Sequence, residues 1–109
     1  MFRGSRTVSN GYRANFYNGW YLRRNPRTAA GVTADGTLLL MVSDGRAPHY
    51  AAGLSIGEVT TMMKYFGAVD AINLDGGGSS MMLVNGEQQT RPSDATGERP
   101  TGDGIVIVK

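Results

Sequence analysis

The chain has 109 residues, no cysteine, one histidine and a net charge of +2. That length holds one domain with one core, and the composition excludes a disulfide framework and a cysteine-based metal site. No apolar stretch is long enough to span a bilayer, and no apolar segment follows Arg3 and Arg6 as a signal peptide requires.

Charge is unevenly spread. Residues 1–27 hold six arginines (Arg3, Arg6, Arg13, Arg23, Arg24, Arg27) and no acid, hence +6, while the remaining five basic and nine acidic residues leave −4. Tyr12, Phe16, Tyr17, Trp20 and Tyr21 lie among these arginines without a clean period. Residues 1–25 therefore read as an irregular basic arm that docks by its aromatics. Aromatics between arginines also suit single-stranded nucleic acid. Docking is preferred over nucleic acid because the rest of the chain is short of core.

From Thr28 the pattern sharpens. Thr28 to Ala34 predicts a strand, Asp35-Gly36 a hairpin turn, and Thr37 to Val42 a partner strand. That partner is apolar on both faces and so expected at the centre of the sheet. Asp44-Gly45-Arg46 closes it, and Ala47 to Gly53 is expected as loop, with Pro48 barring regular structure. Ser55-Ile56-Gly57-Glu58 is a capping box. Behind it Ile56, Val59, Met62, Met63 and Phe66 fall on one helical stripe, and Gly67 fits the helix stop. Ala68 to Leu74 predicts the next strand, so the helix links two strands. Met81 to Val84, Asn85-Gly86 and Glu87 to Thr90 predict a second hairpin. Arg91 to Gly104 reads as a polar loop and Ile105 to Val108 as a short final strand. The order implies an α+β fold: a mixed, largely antiparallel sheet of five or so strands packed by one main helix.

Asn73-Leu74-Asp75-Gly76-Gly77-Gly78-Ser79-Ser80 is the most informative segment. Each glycine loses more backbone entropy on folding than any other residue, so a triplet argues for use of the exposed backbone. Its successive amides can form an anion-binding nest, with Ser79 adding a donor. It can equally be a tight turn in which Asp75 bonds its own backbone. No Gly-Lys-Ser/Thr follows, so it is not a Walker loop, and a strand rather than a helix follows, so it is not a dinucleotide fingerprint.

Asp44, Glu58, Asp75, Asp94 and Glu98 all lie at element ends or in loops, where catalytic carboxylates are usually found. Each has a structural alternative: Asp44 and Asp94 as turn formers, Glu58 as the capping partner, Glu98 as a partner for Arg99. Arg27, Arg46 and Arg99 each lie beside a predicted strand or turn. An arginine there can hold a phosphate with two parallel hydrogen bonds, or be a surface charge. His49, alone in a loop, reads as a bystander. A hard divalent cation on Asp75 and Asp44 is the one metal the composition leaves open.

The motifs then cohere. Pro26-Arg27-Thr28-Ala29 with Gly31, Asp44-Gly45-Arg46, Gly53-Leu54 with Glu58, Gly67-Ala68, Asn73 to Ser80, Asn85-Gly86, Pro92-Ser93-Asp94 and Glu98-Arg99-Pro100 come in an order and spacing that strongly resemble the phosphodiester glycosidase family. The family is named for N-acetylglucosamine-1-phosphodiester alpha-N-acetylglucosaminidase. The resemblance runs from about Pro26 to the C-terminus, which makes 26–109 a partial domain of that kind behind the arm of 1–25. It implies hydrolysis of a sugar-1-phosphodiester, a phosphorylated sugar or glycan as partner, no required cofactor, and a secreted or cell-envelope location.

The leaving group would be a phosphate, whose second pKa is about 6, so protonating it matters less than holding its charge. The resemblance places Asp75 or Glu58 as the carboxylate that activates water or attacks the anomeric carbon, with Asp44 a third catalytic candidate. Arg27, Arg46 and Arg99, with Gly76, Gly77, Gly78 and Ser79, would hold the phosphate, and Asn73 and Asp94 would orient sugar hydroxyls. Two departures stand out. The family carries an Asn-Gly-Gly-Phe-Phe stretch in its N-terminal half, which Asn15-Phe16-Tyr17-Asn18-Gly19 does not match. Thr101-Gly102-Asp103-Gly104 stands where the family places a pair containing Asn. A trimmed or half domain fits these departures, and so does an oligomer that completes the site. The alternative is a non-catalytic phosphosugar- or glycan-binding module using the same loop.

Overall fold

The computed structural model describes residues 1–7, 22–45, 52–90 and 104–108. Its elements in chain order are β1 (Phe2–Arg3), β2 (Arg6–Thr7), β3 (Arg27–Thr33), β4 (Leu38–Ser43), helix α1 (Ile56–Tyr65), β5 (Ala68–Asn73), a 3-10 turn (Gly77–Ser79), β6 (Leu83–Val84) and β7 (Glu87–Gln88). The first five strands make one sheet in the order β2-β1-β5-β3-β4, and β6 and β7 make a separate hairpin. Every pairing between these strands is antiparallel. This is the α+β layout that the sequence predicts.

β3 is the central strand. It pairs with β4 from Arg27↔Ser43 to Val32↔Leu38, and with β5 through Ala29↔Asn73 and Gly31↔Ala71. Because β4 and β5 both oppose β3, they run parallel to each other, and α1 makes the crossover between them. Paired residues share a face and the side-chain period is two. One face therefore carries Arg27, Ala29 and Gly31 with Leu39, Met41, Ser43, Ala71 and Asn73. The core lies on this face: buried Phe2, Ala29, Val59, Met63 and Ala68 cluster, with Leu39, Met41, Leu54 and Ala71 against them.

α1 forms because its N-terminus is fully capped. The Ser55 hydroxyl accepts from the Glu58 amide at 3.1 Å, and the Glu58 carboxylate accepts from the Ser55 amide at 3.0 Å. Gly67 ends it at φ +94°, its amide donating to the Lys64 carbonyl. The helix approaches β3 at Gly31, where a Cβ would lie 2.6 Å from Met63 Cε and 3.0 Å from the Asp70 carbonyl.

Four expectations need amending. Thr37 to Val42, expected at the centre of the sheet, supplies β4, which is its edge among the described residues. Its second apolar face, shared with Ala30, Val32 and Ile72, leaves Leu38 54% and Ile72 56% exposed. Met62 and Phe66 stay exposed although they fall on the apolar stripe. Regular helix stops at Tyr65, and only Ile56, Val59 and Met63 of the stripe are buried. Residues 2–7, expected within an irregular arm, pair into the sheet through Phe2↔Ala71, while Gly4 N donates to the Val69 carbonyl at 2.7 Å. Ile105 to Val108 forms no strand and is exposed. None of the described strands pairs with it.

The second hairpin is present but shorter than predicted. Asn85 (φ 52°) and Gly86 (φ 80°) give it the two left-handed residues of a type I′ turn. Met63 is a large apolar side chain of the small core and is 1% exposed. Met63→Ala should cost about 2–5 kcal/mol, read as a lower urea midpoint at unchanged slope.

Candidate functional site

The candidate residues among the described ones gather at one end of the sheet, where β3 begins and β4 and β5 end. The segment preceding β3 is gripped from two sides. Asn25 and Leu54 exchange backbone hydrogen bonds of 3.1 and 2.9 Å, and the Gly77 amide donates to the Pro26 carbonyl at 3.0 Å. Two glycines make the approach possible. A Cβ on Gly45 would lie 2.7 Å from Gly53 Cα and 2.8 Å from Pro26 N, and Gly53 (φ +86°) has Asn25 backbone atoms within 3 Å of its missing Cβ. The Gly45 and Gly53 motifs are therefore packing devices that bring the turn after β4 and the approach to α1 against the start of β3.

Arg27, expected on a phosphate, is fully buried. Its Nε donates to the Leu54 carbonyl at 2.9 Å and its Nη2 to the Arg23 carbonyl at 2.8 Å. These bonds make it an interior clamp between the strand start and the entry to the helix. Arg24, to which the sequence gave no site role, stays exposed here. Its Nη2 pairs with Glu58 Oε2 at 2.8 Å and its Nη1 donates to the Gly53 carbonyl at 3.4 Å.

Both oxygens of Glu58 are engaged, one by the Ser55 amide and the other by Arg24. The Ser55 amide foremost, with the Arg24 charge, holds the Glu58 carboxyl below the usual glutamate range. Glu58 is thus an ionised carboxylate with a structural task, the alternative noted for it from the sequence.

The glycine loop begins where β5 ends. The Leu74 amide donates to the Thr28 carbonyl at 2.7 Å, continuing the ladder by one rung. Asp75 then leaves the sheet with its side chain exposed, and its Oδ1 accepts from the Gly76 amide at 2.8 Å. Among the described residues its Oδ2 has no hydrogen bond. The amides expected to cradle an anion are engaged internally: Gly76 by Asp75, Gly77 by Pro26, Ser79 by the Gly76 carbonyl and Ser80 by the Gly77 carbonyl. An anion nest needs amides pointing outward, so the loop is a wound turn that presents Asp75 rather than an open cradle through these four.

Asn73 lies on the helix-facing side, and its Nδ2 donates to the Leu74 carbonyl at 2.9 Å. Ser79 and Asp44 are half-buried, and Gly76 and Gly77 are buried. Arg46, Asp94 and Arg99, together with His49, lie outside the described residues. Sequence reasoning also gave no role to Ser43 or Ser80, whose hydroxyls are buried at this end. The signals available were their positions next to Asp44-Gly45 and within the glycine motif. Among the described residues no three His, Cys, Asp or Glu side chains group as a metal site would require, and no helix is long and apolar enough to cross a membrane.

Comparison with known proteins places these elements in context. Residues 3–108 match the family model described as Phosphodiester glycosidase. N-acetylglucosamine-1-phosphodiester alpha-N-acetylglucosaminidase of Mus musculus is 40% identical over 68 residues, 62% of this chain and 13% of that protein. The SPbeta prophage-derived uncharacterized protein YomE of Bacillus subtilis is 34% identical over 84 residues, 77% of this chain and 13% of that protein. The crystal structure of a "Putative exported protein" from Burkholderia pseudomallei superposes with a TM-score of 0.77 at 58% identity, over 81% of this chain and 17% of that one. A hypothetical protein from Synechocystis does so with a TM-score of 0.66 at 31% identity, over 85% of this chain and 17% of that one. The chain therefore spans less than a fifth of the length of each of these relatives.

The Glu58 contacts carry a pH signature. A carboxyl whose pKa is depressed by folding contributes stability above its unfolded pKa and loses it as pH falls through the folded value. Wild type should therefore lose stability through the acid range just below the ordinary glutamate pKa more steeply than Glu58→Gln. Urea midpoints of the two proteins across that range check this.

Proposed function

The chain belongs to the phosphodiester glycosidase family, and on that premise we propose that it carries part of a hydrolase site that cleaves the glycosidic bond of a sugar-1-phosphodiester. In the proposed reaction the bond between the anomeric carbon and the phosphate oxygen breaks, and its electron pair leaves with the phosphomonoester. Water supplies the oxygen that replaces it on the sugar. A carboxylate must take the proton from that water or attack the anomeric carbon first.

Asp75 is the residue assigned to this step. The observation that carries the assignment is its exposure just beyond β5, with Oδ1 fixed by the Gly76 amide and Oδ2 without a hydrogen bond among the described residues. Glu58, by contrast, is held by Ser55 and Arg24, and serves here by keeping Arg24 at the site. The departing phosphate needs cationic partners in place before charge develops. Arg24 is exposed at this end and held by Glu58, and Arg46 and Arg99 keep that role from the motif. Arg27 acts from beneath, by fixing the segment that bears Arg24. Asn73 and Asp94 remain the groups proposed to orient the sugar, and Asp44 a second acid at the same end. A mouse relative named for N-acetylglucosamine-1-phosphodiester supports that sugar as the first substrate to try. The exported description of the Burkholderia neighbour supports a location outside the cytoplasm.

The test is release of free sugar from the methyl phosphodiester of N-acetylglucosamine 1-phosphate. Asp75→Asn should lower kcat by roughly 10²–10⁴ while the ligand still binds. Wild-type turnover in that variant would remove Asp75 from the chemistry. Binding by wild type without any turnover would favour the non-catalytic module.

A further inference from the structure

The two edges of the five-stranded sheet are built differently. At one edge β2 is two residues long and includes Arg6, and shortness and charge are usual means of keeping a sheet edge from pairing further. At the other edge β4 runs Leu-Leu-Leu-Met-Val-Ser, with no charge and no proline. Among the described residues β3 is the one strand that pairs with it, so its outer side is a free edge about 20 Å long. β4 is apolar on both faces. Leu39 and Met41 lie on the helix-covered face with Ala29, and Leu38, Leu40 and Val42 on the other with Ala30, Val32 and Ile72. Strands of that pattern are covered on both faces inside a sheet, yet Leu38 is 54% exposed.

A second element is unsatisfied in the complementary way. Ile105-Val106-Ile107-Val108 is a run of four β-branched residues, a type strongly favoured in strands. None of the described strands pairs with it, and its residues are between 55% and 84% exposed. As a strand it is apolar on both faces, as β4 is, and about 13 Å long, so it fits within the β4 edge. An amphipathic strand would set its polar residues beside Leu38 and Leu40 or beside Leu39 and Met41.

We propose that segment 105–108 adds as a strand to the β4 edge of a second copy of this chain, and that the second copy returns the same contact, giving a closed two-fold dimer. Each copy carries one free edge and one free strand, so reciprocal exchange satisfies both at once and leaves no open end. The added strand lies about 4.8 Å beyond β4. It sets two of its side chains on the face of Leu38 and two on the face of Leu39, and it makes β4 the interior strand that its apolar pattern suits.

Sedimentation of the full chain over a range of concentrations tests this. Wild type should pass from monomer to dimer as concentration rises, and its unfolding temperature should rise with it. Successive amides of a strand point to opposite edges, so Val106→Pro combined with Ile107→Pro removes one donor from the junction in either register. That double variant should weaken dimerisation about tenfold or more. It should keep the circular dichroism of the folded monomer, since both residues are exposed and no described strand pairs with them. Leu38→Lys, at an exposed position on the edge itself, should weaken dimerisation as well. A wild type that stays monomeric overturns the proposal; a lower unfolding temperature in the double-proline variant then puts the strand on the edge of its own chain. A dimer that survives both variants overturns it too, because another surface then joins the copies. So does an open-ended polymer, because the exchange is then not reciprocal.

Discussion

The buried guanidinium of Arg27 is the constraint on which the rest of this end of the molecule depends. It ties the Arg23 carbonyl, four residues before β3 begins, to the Leu54 carbonyl at the mouth of the helix. Burying an arginine is costly unless its donors are met, and here Nε and Nη2 each meet a backbone carbonyl. The chain answers by wrapping carbonyl-bearing segments around it. Asn25 and Leu54 close on each other through their backbones, and Gly45 and Gly53 remove the side chains that would hold those segments apart. Once Leu54 is fixed, Ser55 is in place to cap α1, and Glu58 one turn on is in place to hold Arg24. The position of the exposed arginine is in this sense a consequence of the buried one.

The same arrangement sorts the carboxylates. Glu58 is bonded on both oxygens and ionised, which suits it to holding a cation and not to giving up a proton. Asp75 stands where the β3–β5 ladder has run one bond further and then stopped, at Leu74 N to Thr28 O. The glycines that follow wind back on themselves, and their function is to turn the chain sharply enough to leave Asp75 outside. Gly77 adopts φ +60°, a left-handed conformation that residues with side chains rarely take. Two of the glycines, Gly76 and Gly77, are buried there.

The sequence made the elements legible wherever the signal was local. The capping box at Ser55, the stop at Gly67, the Asp35-Gly36 turn with Gly36 at φ +88° and the Asn85-Gly86 turn all act within a few residues. They were read with boundaries within one or two positions. What failed was long-range. The apolar pattern of Leu38 to Val42 is that of a strand covered on both faces, yet composition cannot say which neighbour covers it. In the described residues β4 is an edge. Arg27 was legible as important, and in the structure its guanidinium bonds the Leu54 and Arg23 carbonyls. Its motif neighbours point to a site, but whether an arginine faces a ligand or the interior depends on Leu54, 27 residues away. Glu58 shows the converse, since its local signature alone gave the correct structural task. Ser80 lies within the glycine motif and Ser43 beside Asp44-Gly45, but that their hydroxyls are buried depends on the fold.

The central claim is that Arg27 builds the site and does not touch the ligand. The direct test is urea unfolding of Arg27→Lys beside its affinity for N-acetylglucosamine 1-phosphate. A lysine keeps the charge but cannot span the Leu54 and Arg23 carbonyls with a planar fork. Stability should fall by roughly 2–4 kcal/mol, with affinity in the folded protein close to wild type. A variant as stable as wild type that binds the ligand much more weakly would put Arg27 on the phosphate and contradict the account.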